Sequence, residues 1–353
     1  MKKLWITNRH TYFNLASRRG LISHRRKYKK YDPYKVPSPE TIGHKSYFLI
    51  KAPPTLSFYE VEKTPKNLEA TCRFLKEIEK NSSKDCLISF RNTKRITVAA
   101  LLALRSTLET KSTANRIKFI YSESNEVNQL ISEIATDINK PLIRKTRKTE
   151  QRKTLMLTSE TPKAQDYAVD FILRNDPQNN AERENLFSSA ISETIQNVYR
   201  HAYSSECLEK KWWLFTQIVG NQLYLAILDR GTGIPNTIIT NDNFYPKLKE
   251  LYPESYKSLE LDKTSLIEKI TRKPNLNDAE LIHLAMQDNI NRQLEDKHGQ
   301  GSKSIKALVQ QTDRGVLWVF SNNGLFLLED NEKKITLPEL FQGTLIQWNI
   351  GLI

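Results

Sequence analysis

Apolar and polar positions along this chain follow two periods. Apolar runs of strand length stand at Tyr47–Ile50, Cys86–Phe90 and Ile117–Tyr121. Segments at about 66–80, 97–110 and 125–138 carry the pattern of helices. Strands alternating with helices of this length predict a small α/β layer with a largely parallel sheet.

The pattern changes after about residue 165. It predicts a short strand at Ala168–Leu173, a long helix from Ala181 to Ala202, and a hairpin. The hairpin pairs Trp212–Val219 with Leu223–Leu228 and turns at Gly220-Asn221. A long polar insertion then runs to His298, with helix-like stretches at Thr264–Ile270 and Asp278–Gln287. A helix at about 302–311 precedes three β-rich runs, Val316–Ser321, Leu325–Glu329 and Thr344–Ile350. This is an α+β pattern, predicting a mixed sheet with helices on one face. No internal repeat is present.

Composition narrows the class. At 353 residues two domains are the natural expectation. An apolar share of 39% with 5 Trp, 14 Tyr and 13 Phe is enough to build real cores, which excludes wholesale disorder. No apolar run approaches the roughly 18 residues of a membrane span. The basic N-terminus lacks the apolar stretch of a secretory signal. Cys72, Cys86 and Cys207 are far apart and form no CxxC pair. That argues against a disulfide scaffold or cysteine zinc site and predicts a reducing, cytoplasmic setting.

The net charge of +14 is concentrated in two places. Residues 1–44 hold eleven Lys/Arg against Asp32 and Glu40, and residues 139–153 hold seven against Glu150. The rest is close to neutral, so the basicity belongs to an arm and a linker. The densest stretch, Arg25-Arg26-Lys27-Tyr28-Lys29-Lys30-Tyr31, offers cations for phosphates and tyrosines for stacking. A solvated tail is the plainer reading of such a run.

Three separated segments after residue 165 carry candidate chemistry. Glu193, Asn197 and His201 are spaced four apart and so climb one face of the long helix. Asp229-Arg230-Gly231-Thr232-Gly233-Ile234-Pro235 follows an apolar strand directly. Its glycines allow a tight turn and close approach to a flat ligand, while a carboxylate at the strand end can accept from an exocyclic amine. His298-Gly299-Gln300-Gly301-Ser302-Lys303-Ser304 opens a helix, where unpaired N–H groups and a lysine suit phosphates. Each segment alone is common. No zinc-spaced His/Cys set, GxSxG elbow or Walker GxxxxGK[ST] loop is present.

In this order the segments resemble the N box and the two glycine boxes of the GHKL ATPase superfamily, the Bergerat fold of gyrase, Hsp90-type chaperones and histidine kinases. Gly343-Thr344, in "QGTLIQWNI", is similar to the superfamily's late Gly-Thr element. The stretch "SETIQNVYRHAY" is nearest to the anti-sigma-factor serine kinases. The resemblance spans residues 166–353 and implies a GHKL α/β sandwich that binds ATP and Mg²⁺. It implies Asn197 as the Mg²⁺ ligand, His201 beside it in the nucleotide site, and Glu193 as the residue that orients or deprotonates the attacking group. It further implies Asp229 on adenine, with Gly231, Gly233 and Ile234 shaping the base pocket. Gly299, Gly301, Ser302, Lys303 and Ser304 would hold phosphates, and Thr344 would lie near adenine. His298 and Ser302 depart from the Arg and Leu frequent in relatives, which alters the expected phosphate clamp. The segment 236–298 is much longer than the lid of the anti-sigma kinases and is expected to be a structured ATP lid.

Upstream, "DCLISFRNTKRITVAALLALRSTLE" resembles the strand–loop–helix of STAS domains. Those domains place a phosphorylatable hydroxyl at the helix start. Here Val98, Ala99 and Ala100 leave the usual acceptor position apolar, and Thr97 is the remaining hydroxyl.

The expected organisation is a basic arm (1–44), a STAS-like α/β domain (45–140), a basic linker (141–165) and a GHKL domain (166–353, lid 236–298). The expected function is an ATP-dependent conformational switch with slow hydrolysis, acting on a protein partner or on the chain's own α/β domain. The alternatives are a serine/threonine kinase of the anti-sigma type and a nucleic-acid-associated ATPase using the arm. Homodimers are common in the superfamily, but no residue here marks an interface. The arm reading predicts DNA or RNA binding that weakens steeply with salt and disappears when residues 1–44 are deleted. A salt-independent filter-binding signal contradicts it.

Overall fold

The structure is a computed structural model that describes residues 40–42, 45–59, 61–109, 117–135, 152–158, 164–177, 181–197, 202–203, 210–241, 243–261, 275–287, 301–310, 312 and 314–352. The chain divides into two compact units, Met1–Leu49 and Ile50–Ile353. In the first, β1 (Glu40–Ile42) pairs antiparallel with β2 (Lys45–Lys51), which runs across the boundary. Most of the basic arm lies outside the described residues.

The second unit opens with β3 (Thr55–Leu56), α1 (Pro65–Lys80), β4 (Cys86–Ser89) and β5 (Arg95–Ile96). Next come α2 (Val98–Glu109), β6 (Ile117–Ile120) and α3 (Asn125–Ala135). Strands β4 and β6 pair in parallel, as do β3 and β5, as expected for crossover connections through helices. Pro65 sits in the first turn of α1, where its missing N–H has no helical partner to lose. Leu68, Cys72, Phe74 and Ile78 form the buried face of that helix. Helix α2 differs: every residue from Ala99 to Leu108 is buried. A helix apolar on all sides must be covered on all sides, and α2 is sandwiched between layers.

The layer on its other side is a five-stranded sheet in the order β10-β11-β9-β8-β7. Its strands are β7 (Arg152–Thr158), β8 (Trp212–Val219), β9 (Gln222–Asp229), β10 (Val316–Leu328) and β11 (Glu332–Gly351). Helices α4 (Ala164–Leu173) and α5 (Ala181–Asn197) lie between β7 and β8 in sequence. Between β9 and β10 come α6 (Ile234–Thr237), α7 (Phe244–Leu251), α8 (Pro253–Leu261), α9 (Asp278–Ala285) and α10 (Gly301–Gln310). Among the described residues no helix is long and apolar enough to cross a membrane.

Several expectations are corrected. The sheet is antiparallel at every described pairing rather than mixed, because hairpins join β8 to β9 and β10 to β11. Ala168–Leu173 belongs to helix α4, not to a strand. Ala168, Val169 and Ile172 are buried while Asp166, Tyr167 and Asp170 are exposed, a helical spacing hidden inside a short apolar run. The stretch read as a basic linker contains β7, whose Leu155 is buried. The two β-rich runs before Thr344 join into one long strand, β10. β10 continues through an irregularity at Ser321–Gly324, and β11 begins at Glu332, well before the expected start. Within the lid, Asp278–Ala285 is helical with an Asn277/Glu280 capping box, and Thr264–Ile270 lies outside the described residues.

Helices also cover both faces of the sheet rather than one. On one face α4, α5 and α10 bury Ile172, Phe187, Ile191 and Leu308 against Leu214, Leu225, Ile227 and Trp348. On the other, α1 and α2 bury Phe74, Leu101 and Leu104 in one core with Trp213, Phe215, Leu228, Phe320 and Leu345. From residue 50 onward, the α/β layer and the antiparallel sheet therefore share a core.

That junction contains a buried ion pair. The Arg105 side chain is 1% exposed, pairs with Glu109 at 2.5 Å and donates to the Ile134 carbonyl at 2.8 Å. Glu109 also accepts from the Trp213 indole N–H on β8. Removing Glu109 takes its carboxylate away from the buried Arg105 guanidinium and from the Trp213 indole. Glu109→Ala is therefore expected to destabilise the protein by about 3–5 kcal/mol in urea denaturation. A loss below about 1 kcal/mol, the value of a surface pair, contradicts this role for the junction.

Candidate functional site

Strand β9 ends at Asp229, which is opposite Thr344 of β11 in the ladder. Both side chains are buried. The Asp229 carboxylate accepts from the Gly231 amide at 2.8 Å and from the Thr344 amide. Burial outweighs these bonds and pushes its pKa up to about 7.

The turn after Asp229 needs glycine for steric reasons. A Cβ on Gly231 would stand 1.9 Å from the Ala202 carbonyl oxygen, and one on Gly233 (φ +86°) would overlap Ser321 and Asn322. Gly343 (φ +89°) packs its α-carbon against the Asp229 backbone, where a Cβ would be 2.1 Å from the carbonyl oxygen. The turn is also pinned at both ends. The Thr232 amide donates to Ala202 at 2.7 Å, and the Ile234 amide donates to the Ser321 hydroxyl at 2.9 Å. Ser321 in turn donates to the Gly343 carbonyl and lies 3.2 Å from the Thr344 hydroxyl.

Ser321 and Ala202 are parts of this site that motif reading did not single out. Ser321 looked like the end of a strand, and only its cross-strand partner Thr344 reveals its place.

The structure thus brings Asp229, Gly231, Gly233, Ile234 and Thr344 together, with Ala202 just beyond the predicted N-box stripe. Glu193 and Asn197 stand one turn apart on α5, and their side chains lie outside the described set. Gly301, Ser302, Lys303 and Ser304 form the first turn of α10, with side chains likewise outside it. His201, His298 and Gly299 lie outside the described residues. Helix α10 packs beside α5 on the same sheet face, so the two helices that carry the first and third segments are neighbours. Among the described residues no group of three His, Cys, Asp or Glu converges as a metal site. Thr97 is buried and donates to the Leu56 carbonyl at 3.3 Å.

Arg230 points away from this cluster into the α/β layer. Its guanidinium pairs with Glu79 of α1 and donates to the Thr107 hydroxyl of α2 at 3.2 Å. A second link joins Glu339 of β11 to Lys76 of α1 at 2.7 Å. The segment 236–298 contains a small core of Ile238, Phe244, Leu248, Leu281 and Leu284. Within it His283 of α9 contacts Tyr252 at 2.8 Å; His283 also contacts Glu332 of β11 at 3.0 Å, and Lys306 of α10 reaches the same carboxylate.

The raised pKa makes the folded protein favour protonated Asp229. The stability this group supplies is full below its unfolded value of about 4 and is lost as pH rises toward about 7. Asp229→Asn cannot titrate. Thermal denaturation at pH 5 and pH 8 is expected to shift the stability difference in favour of the variant, by up to about 1.4 kcal/mol per pH unit. A difference that does not change with pH contradicts the burial argument.

No protein-family model matches the chain, and no curated protein matches it.

Proposed function

We propose that the chain is an ATP- and Mg²⁺-binding regulatory ATPase of the GHKL type, a switch with slow hydrolysis that its own α/β layer reads. The observation that carries this reading is the setting of Asp229: a buried carboxylate at a strand end, beside two sterically required glycines and the Thr344 hydroxyl. A buried carboxylate above its ordinary pKa is stabilised when a ligand amine donates to it, and adenine presents such an amine. The chemistry at the base end therefore fits an adenine nucleotide.

Under this proposal the first turn of α10, a helix N-terminus that carries Lys303, holds the phosphates. Asn197 supplies a hard oxygen ligand to Mg²⁺, and Glu193 orients the attacking water. The bound metal would offset charge developing on the phosphate oxygens. Support for a switch comes from Arg230. The residue next to the base-binding carboxylate is anchored on α1 and α2, so any movement of the glycine turn pulls on the α/β layer.

Calorimetric titration with ATP and Mg²⁺, with turnover followed in parallel, tests the site. Asp229→Ala is expected to weaken binding by about a hundredfold, equivalent to a lost charged hydrogen bond. Glu193→Ala is expected to keep binding and lose hydrolysis, and Asn197→Ala to lose Mg²⁺-dependent turnover. Normal binding by Asp229→Ala contradicts the assignment. Hydrogen exchange tests the coupling. ATP is expected to slow exchange in residues 65–80 of the wild type and to leave them unchanged in Arg230→Ala. Equal protection in both proteins contradicts coupling through Arg230.

A further inference from the structure

The α2-facing side of the antiparallel sheet changes character along its strands. One cross-strand row, Trp213–Leu228–Leu345–Phe320, is apolar and buried in the core shared with α2. Two rows further along, Gln217–Tyr224–Asn349–Val316 replaces it, and the row between contains Gln347 and Trp318. A sheet face that only packs against another layer has no use for three amides. Here they line a cleft of about 590 Å³ between the sheet and the α/β layer, within the roughly 300–1,000 Å³ of small-molecule sites.

The cleft has distinct walls. Trp318 and Tyr59 meet at a centroid distance of 5.0 Å and an angle of 46°, forming an aromatic corner. The Tyr59 hydroxyl donates to Gln347 Oε1, and Gln347 Nε2 donates to Asn349 Oδ1 at 3.0 Å. That chain fixes the two amides and leaves the Asn349 Nδ2 donors without a protein partner among the described residues. Lys63 and Arg95 line the cleft, both exposed, and neither has an ion-pair partner among the described residues. Glu62, Glu329 and Lys333 also line it. A smaller adjoining pocket shares Arg95, Val98 and Gln217 and adds Lys94 and Glu126.

We infer that this cleft is a second ligand site, separate from the Asp229 cluster, for a nucleoside monophosphate. Its base would lie against the Trp318–Tyr59 corner, with its edge toward Asn349 and its phosphate toward Arg95 and Lys63. The aromatic surface accepts any flat ring, the fixed amides recognise polar ring edges, and the unpaired cations require an anionic group. A lipid tail leaves the amides unpaired, and a purely aliphatic ligand leaves the cations unused.

The test is calorimetric titration of the full chain, without Mg²⁺, with AMP, GMP, CMP and UMP. At least one is expected to bind once per chain, about tenfold or more tighter than its nucleoside. Arg95→Ala and Asn349→Asp are each expected to weaken it by about tenfold. Arg95 is exposed, so an unchanged melting temperature in Arg95→Ala separates lost binding from lost folding. Asp229→Asn is expected to change this affinity by less than about twofold. The inference is overturned if none of the four binds at millimolar concentration, or if Arg95→Ala and Asn349→Asp bind like wild type. Loss of binding in Asp229→Asn also overturns it, because the ligand would then occupy the other face.

Discussion

Both faces of the antiparallel sheet are buried, and this constraint organises the protein. Strand β8 is buried from Trp212 to Ile218, and β9 from Leu225 to Asp229. One face closes on α4, α5 and α10, and the other on α1 and α2. In that setting a buried carboxylate is expensive, and Asp229 is held by two backbone amides with its charge still disfavoured. Asp229, Ser321 and Thr344 form a buried polar cluster on the sheet. Its position where β9 ends, beside turns that tolerate no Cβ, gives the site its shape.

The same two-sided burial links site to scaffold. Because α1 and α2 rest on the sheet, Arg230 needs only its own length to pass from the glycine turn to Glu79 and Thr107. The Arg105–Glu109–Trp213 contacts fix α2 against β8 a short distance away. A helix held this way moves with the sheet rather than sliding over it. Helix α9 is attached separately, through the bulge at Gly324 and the His283–Glu332 contact.

Much of this was legible in the sequence, for identifiable reasons. The long apolar periodicity of residues 66–80 and 97–109 marked helices, and Gly220-Asn221 marked the hairpin. Asp229, Gly231 and Gly233 were found because glycine at a strand end beside a carboxylate is a local signal, Thr344 only through the family resemblance, and the fold brings those four together. Ala168–Leu173 was not legible, because six residues cannot separate a helix from a strand. Ser321 was hidden because its importance comes from a partner more than twenty residues away. The uniform burial of α2 requires a second covering layer. Which face that layer would cover depends on pairings no local pattern encodes.

The account turns on whether adenine meets Asp229. A crystal structure of the full chain with Mg²⁺ and a non-hydrolysable ATP analogue reads this directly. The expected result places the exocyclic amine within hydrogen-bonding distance of the Asp229 carboxylate, and the phosphates at the first turn of α10. Adenine bound elsewhere, with Asp229 still held only by Gly231 and Thr344, contradicts it.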